Sequence, residues 1–102
     1  MRRTRKFGRN VLTKARFYEK IMTRRHRGRY LGGPGQPDYI RGKIPGEVKA
    51  WNRLMSRYDV KKEIKKGRKE IISKSGFTKG AITYVKRYRP DVKLFHKNKR
   101  IA

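Results

Sequence analysis

The stretch that most constrains the fold is GQPDYIRGKIPGEVK, residues 35–49. Its β-branched and aromatic residues fall on either side of Gly42, and glycines and prolines bound both groups. This arrangement predicts two short strands joined by a turn at Gly42-Lys43. The apolar strand residues are Tyr39 and Ile40 on the first strand, and Ile44 and Val48 on the second.

The same stretch carries three charged groups in a PD…ExK pattern, namely Asp38, Glu47 and Lys49. Two carboxylates on adjacent strands can share a divalent metal ion, and a lysine on the same face can orient or deprotonate an attacking water. Because Glu47 and Lys49 are two residues apart, their side chains point the same way on a strand. The pattern therefore indicates a candidate site at which a divalent metal ion would activate water.

A purely structural interpretation of these three residues stays open. Asp38 would hold a turn, and Glu47 would lie in the first turn of a helix begun by Pro45. The Glu-x-Lys spacing also recurs at Glu63-Ile64-Lys65, inside a helical pattern where the spacing does not suit a strand.

The charge of the chain points to a polyanionic partner. Lys and Arg total 32 against 7 Asp and Glu, a net charge of +25 in 102 residues, while only 34% of residues are hydrophobic. Such self-repulsion opposes compaction unless dense negative charge neutralises it. Nucleic acid fits best, because no strongly apolar helix face or run of about 18 apolar residues accompanies the charge. We expect no insertion into a membrane.

The length predicts a single domain with a thin core. The chain has no cysteine, which excludes disulfides, thiolate zinc sites and cysteine nucleophiles. We predict an α+β domain over residues 9–95, with a basic arm at 1–8 and a basic tail at 96–102. Neither end has the apolar content to fold alone.

The first third predicts a long helix followed by a dense basic segment. A helical period begins at Asn10, a plausible N-cap, and runs through Tyr18 and Met22. The arm before it is expected to lack structure of its own. Residues 23–30 hold the densest charge, and arginine forks there would bind phosphate while Tyr30 lies against a sugar or base.

The central third predicts two helices. Val48, Trp51, Met55 and Tyr58 fall on one helical face, and a second face follows from Val60 to Ile71, with Asp59 between them as a cap. Trp51 is expected in the core.

The last third predicts a C-terminal β-hairpin. Residues 82–85 and 92–95 are rich in β-branched and aromatic types, and Arg89-Pro90-Asp91 separates them as a turn. A helix from Thr78 to Arg89 is the competing prediction.

The candidate nucleic-acid contacts are the basic residues of the arm, first helix, central helix and tail, together with one tyrosine. They are Arg2, Arg3, Arg5, Lys6, Arg9, Lys14, Arg16, Arg24, Arg25, Arg27, Arg29, Tyr30, Lys61, Lys62, Lys65, Lys66, Arg68, Lys69, Lys97, Lys99 and Arg100.

The order of helix, two strands bearing Asp then Glu-x-Lys, helix and strand resembles the core of the PD-(D/E)xK nucleases. Within that superfamily, residues 37–49 are similar to the strand pair of the CRISPR-adaptation nucleases, and residues 80–86 to a late strand after a glycine. The resemblance covers roughly residues 35–95. The iron–sulfur cysteines of that family are absent. The following helix, residues 63–70, has lysines where the family has a Gln and a Tyr, and these lysines would compete with a metal for the carboxylates.

A nuclease scaffold without its catalytic surroundings is similar to the basic nucleocapsid proteins of filamentous archaeal viruses. That resemblance implies a virion protein that coats double-stranded DNA in many copies, without enzymatic activity, cofactor or bound metal. Asp38, Glu47 and Lys49 would then be structural relics. Two alternatives stay open: a ribosomal protein that binds rRNA, and an active metal-dependent nuclease. Affinity through phosphates is expected of the nucleocapsid protein and the ribosomal protein alike, since neither requires base readout, so composition does not separate these two.

Overall fold

The computed structural model describes residues 2–31, 33 and 35–102, with side chains from Lys14 onward. The described residues form three helices and six strands. The helices are α1 (Arg2–Arg25), α2 (Arg57–Lys65) and α3 (Lys79–Tyr88). The strands are β1 (Arg29–Tyr30), β2 (Tyr39–Arg41), β3 (Ile44–Lys49), β4 (Glu70–Ser73), β5 (Lys93–His96) and β6 (Lys99–Arg100).

The strands form one mixed sheet in the sequential order β1 to β6. Strands β1, β2 and β3 are antiparallel, β3, β4 and β5 are parallel, and β6 returns antiparallel to β5. Parallel neighbours need a crossover, and α2 and α3 supply the two that this sheet requires. The predicted α+β class and single domain are confirmed.

The sheet has a core on each face because its residues alternate between them. Ile71 and Leu94 pack with α2 and α3 in the larger core, whereas Ile72 lies on the opposite face with Met22 of α1. Both cores are small, so much of the fold depends on burying a few large side chains completely. Half-buried Trp51 packs against the larger core, as predicted.

The predicted strand pair is confirmed. Gly42 adopts a φ of +66° in the turn, a conformation that favours glycine. The register pairs Tyr39 with Gly46, which places Asp38 directly opposite Glu47. Glu47 lies inside β3, so the alternative that Pro45 begins a helix is wrong.

The first helix is longer than predicted. α1 begins at Arg2, so Asn10 is inside it, and residues 2–8 of the arm, which was expected to lack structure, form its first turns. Arginine and lysine are good helix formers, and propensity extended the helix beyond its apolar stripe. The basic segment after α1 contributes β1, which pairs with β2 and was not predicted.

The helical prediction for residues 48–58 is wrong, and that for 60–71 is half right. Val48 lies in β3, and a helix begins only after Ser56, which forms a capping box with Asp59. Gly67, with φ +93°, follows the end of α2, and Ile71 lies in β4. The buried Ile71-Ile72 pair fits a parallel strand covered on both faces, which overrides its helical spacing.

The C-terminal hairpin is present, but further along the chain than predicted. Residues 82–85 lie in α3, which Thr78 caps, so the competing helix is the correct element. Ala81 and Val85 are both buried four residues apart, and this helical period outweighs the β-branched composition. The hairpin joins β5 to β6, and the expected free tail at 96–102 is thereby part of the sheet, with Ala102 packed on the larger core.

Within residues 2–31, 33 and 35–102, we find no helix whose length and hydropathy would let it cross a bilayer.

Candidate active site

The strand pair and α2 bring three acids and one lysine together. Asp38 immediately precedes β2, and Glu47 is directly opposite it on β3. Val48 packs on the α1 side, so its neighbours Glu47 and Lys49 project to the side covered by α2. Glu63 of α2 is 4% exposed and reaches the same place.

Lys49 lies between two of the carboxylates. Its Nζ is 3.2 Å from Glu47 Oε2 and 3.6 Å from Glu63 Oε2. Asp38 is fixed from the other side, because the backbone N–H of Val48 donates to Asp38 Oδ2 at 2.8 Å. All three residues of the PD…ExK pattern therefore meet at one place.

Two further cations surround this cluster. Arg68 is 8% exposed, and its Nε donates to Glu47 Oε1 at 3.1 Å. Lys66 Nζ is 3.7 Å from Glu63 Oε2. Each carboxylate oxygen of Glu47 therefore has a basic partner, Arg68 at Oε1 and Lys49 at Oε2.

Burial is the main influence on the protonation of Asp38. Burial, opposed by the hydrogen bond from Val48 and reinforced by the charge of Glu47, raises the pKa of Asp38 to about 7. For Lys49, burial acts to lower the pKa, but Glu47 and Glu63 outweigh it and raise the pKa above its ordinary value. Lys49 is therefore a fixed ammonium at neutral pH and not a proton acceptor.

These residues fit a divalent cation held partly by protein and partly by water or substrate. Like charges directly opposite across a strand pair are destabilising, and a cation between Asp38 and Glu47 would relieve that cost. Buried Glu63 Oε1 has no hydrogen-bond partner among the described residues. The described part of the chain has no group of three or more His, Cys, Asp or Glu side chains that could hold a metal ion. Mg²⁺ needs none, since it often binds through one or two carboxylates with water and phosphate.

The sequence missed two members of this site, Glu63 and Arg68. Glu63 looked like an accidental Glu-x-Lys, and Arg68 like one residue of a basic helix face. The available signal was that Glu63 borders the buried stripe formed by Val60 and Ile64, where an acid has a reason to be buried.

Most candidate phosphate contacts described with side chains are exposed. Lys69 instead pairs with Asp91 at 2.6 Å, and Tyr30 donates to Glu19 at 3.2 Å. Arg68 is inside the acidic cluster. The candidates at Arg2, Arg3, Arg5, Lys6 and Arg9 lie on α1, and their side chains are outside the described part. The exposed ones are Lys14, Arg16, Arg24, Arg25, Arg27, Arg29, Lys61, Lys62, Lys65, Lys66, Lys97, Lys99 and Arg100.

Neutralising Asp38 should stabilise the fold at alkaline pH. A carboxyl whose pKa is raised on folding contributes stability below its unfolded pKa and loses it as the pH rises through about 7. Asp38→Asn keeps an oxygen for the Val48 N–H, so we expect its free energy of unfolding to exceed the wild-type value by about 1–2 kcal/mol at pH 8, after allowance for solvent screening. Urea denaturation across the pH range would measure this. The difference should shrink towards zero near pH 4, and a constant difference would contradict the assignment.

In comparisons with protein-family models, with curated proteins and with solved structures, the chain matches none of them.

Proposed function

We propose that this chain is a metal-dependent nuclease that cleaves the phosphodiester backbone of nucleic acid. One observation carries the proposal: Asp38 and Glu47 face each other across neighbouring strands, and Lys49 projects to the same side. The order of α1, the strand pair, α2 and β4 further supports the resemblance to PD-(D/E)xK nucleases.

Asp38 and Glu47 are the residues that would hold the divalent cation. Such a cation, when bound, polarises a phosphate oxygen and lowers the pKa of water. Glu63 adds negative charge from α2, and its Oε1 accepts no hydrogen bond from the part of the chain that the structure describes. These acids are buried or half-buried, so the attraction they exert on a cation is stronger than it would be in water.

Lys49 would act on the substrate as a cation. Its raised pKa keeps it protonated, and at 3.2 Å from Glu47 Oε2 it is held beside the presumed metal ligands. A preorganised ammonium stabilises the negative charge that develops on a phosphate during cleavage. Lys49 therefore has a role that does not require it to take a proton.

The basic surface would supply affinity without sequence preference. Phosphate contacts dominate nucleic-acid affinity and carry no direct sequence information. Because the net charge is +25, the affinity of this chain for nucleic acid should fall steeply as the salt concentration rises. The affinity should differ little between one nucleic-acid sequence and another. We propose this backbone binding whether or not cleavage follows.

A second candidate function is DNA coating without cleavage, as a nucleocapsid or architectural protein. The observation that favours it is the pairing of Glu47 with both Lys49 and Arg68, because each bond must be weakened before a metal can bind. The nuclease explains in addition why Asp38 and Glu47 are opposed, and why Glu63 is buried with an oxygen to which no described residue donates. The coat-protein and ribosomal-protein functions stay predictions.

Incubation with supercoiled plasmid separates the two candidates. With Mg²⁺ or Mn²⁺ the wild-type protein should nick and then linearise the plasmid, and EDTA should stop the reaction. A gel-shift assay of the same samples reports binding. Binding with no cleavage at any metal concentration would reject the nuclease and favour coating.

A further inference from the structure

The outer faces of α2 and α3 form a groove in which tyrosines alternate with basic side chains. A cavity of about 570 Å³ is lined by Tyr58, Lys61, Lys62, Lys65, Tyr84 and Arg89, among others. A second, of about 310 Å³, lies on the other side of Tyr84 and is lined by residues that include Arg57, Arg87 and Tyr88. Since Tyr84 lines both, we treat them as one feature and name it the tyrosine groove.

The exposure of these tyrosines is unusual for a chain with a thin core. Tyr58 is 70% exposed and Tyr88 is 64% exposed, so most of each aromatic side chain faces solvent. Tyr84 is half-buried and tilts against Tyr88, with ring centroids 5.6 Å apart. Burial in the core therefore accounts for Tyr84 only. Tyr88 contacts the Tyr84 ring and Tyr58 lies beneath the Lys62 ammonium, but both keep most of their surface exposed.

The charge of the tyrosine groove fits a nucleic-acid strand. No carboxylate lines either cavity in the described part of the chain. Lys61 Nζ lies 5.3 Å from the Tyr84 ring centroid, and Lys62 Nζ lies 5.6 Å from that of Tyr58. An exposed cation–π contact is worth about 0.5–1 kcal/mol, whereas a base stacked on an aromatic ring is worth about 1–3 kcal/mol. A base that stacks on Tyr58 can therefore displace the Lys62 ammonium, which then remains beside the strand to bind phosphate.

We propose that the tyrosine groove binds unpaired bases of a single-stranded nucleic-acid segment, by stacking them on Tyr58 and Tyr88 while the lysines and arginines hold the backbone. A duplex cannot use the rings in this way, because its bases are already stacked on one another. α2 carries Glu63 on one side and Tyr58 on another, so the same helix joins the groove to the acidic cluster. Binding of a single strand by the groove does not depend on the proposed nuclease. Only the further statement that this strand is the substrate rests on that proposal.

The test measures binding in EDTA, so that cleavage plays no part and a failure of the nuclease proposal leaves the result interpretable. The double variant Tyr58→Leu/Tyr88→Leu removes stacking at two exposed positions and leaves the packed Tyr84 in place. We expect its Kd for a single-stranded oligothymidine to rise about tenfold or more. The Kd for a duplex of equal length should change less than about threefold, since the charge is unaltered.

Two control variants sharpen the result. Tyr58→Phe/Tyr88→Phe keeps both rings and should bind the single strand within about twofold of the wild type. Phe17→Leu removes a ring that is 63% exposed on α1, outside the groove, and should also have little effect. An equal loss for single strand and duplex in the Leu variant, or an unchanged Kd for the single strand, would overturn the proposal.

Discussion

Asp38→Asn is expected to reduce metal-dependent cleavage at least about 100-fold while increasing the stability of the folded protein at pH 8. Both effects come from the same carboxylate. Its pKa of about 7 shows that the fold tolerates its charge poorly, and a divalent cation between Asp38 and Glu47 is what would make that charge favourable. A residue present only for structure would show the opposite sign, because its replacement would lower stability.

The matched control is Asp91→Asn, which removes an acid whose ion pairs involve no residue of the cluster. Asp91 is exposed and pairs with Lys69 and Arg89 at the surface. Its replacement should leave cleavage within about twofold of the wild type, since exposed ion pairs contribute little. Duplex affinity measured in EDTA should be nearly the same for both variants. Cleavage by Asp38→Asn at the wild-type rate would contradict the claim that Asp38 holds the divalent cation.

Gly46→Ala is expected to lower the free energy of unfolding by about 3 kcal/mol or more. A Cβ at this position would overlap the ring of Tyr39, which is fully buried beside it. The Tyr39 ring cannot move away easily, because Gly28 lies against the end of the ring nearer the backbone. The Tyr39 hydroxyl at the other end donates to Glu70 Oε1 at 2.7 Å. Displacing the ring would therefore also leave a buried carboxylate with one partner fewer.

Urea denaturation of Gly46→Ala would measure this effect, and Gly80→Ala is the matched control because an added Cβ there has space. Gly80 lies in α3, and the nearest atom to its added Cβ is Thr78 Oγ1 at 3.9 Å. Alanine there should raise stability by roughly 0.5 kcal/mol through helix propensity. If Gly46→Ala were as stable as the wild type, Tyr39 would not be clamped as described.

The strand pair could be predicted because its signals are local and agree with one another. A glycine turn, apolar residues on both sides and flanking prolines are sufficient, and the acid pattern then follows from the register between Tyr39 and Gly46. Asp38, Glu47 and Lys49 were identified from the PD…ExK spacing within this strand pair. What sequence could not supply was the position of α2, and therefore Glu63 and Arg68.

The errors elsewhere share one cause, which is that short apolar runs satisfy helical and strand periods equally well. Ile71 matched a helix face together with Ile64, yet lies in β4 because the pair Ile71-Ile72 serves both faces of the sheet. Ile82 and its neighbours favour a strand by composition, yet form α3 because Thr78 caps it and Val85 completes a buried stripe. Tertiary burial decided both segments.

The central claim is that Asp38 and Glu47 bind a divalent cation, and titration of the DNA-free protein with Mn²⁺ at pH 8 tests it most directly. Electron paramagnetic resonance counts free Mn²⁺, and so reports binding without depending on catalysis. We expect saturable binding by the wild-type protein that is weakened at least about tenfold in Asp38→Asn and in Glu47→Gln, whose amide oxygen still accepts from Arg68. Wild-type protein that leaves all Mn²⁺ free, or variants that bind it as tightly as the wild type, would contradict the claim.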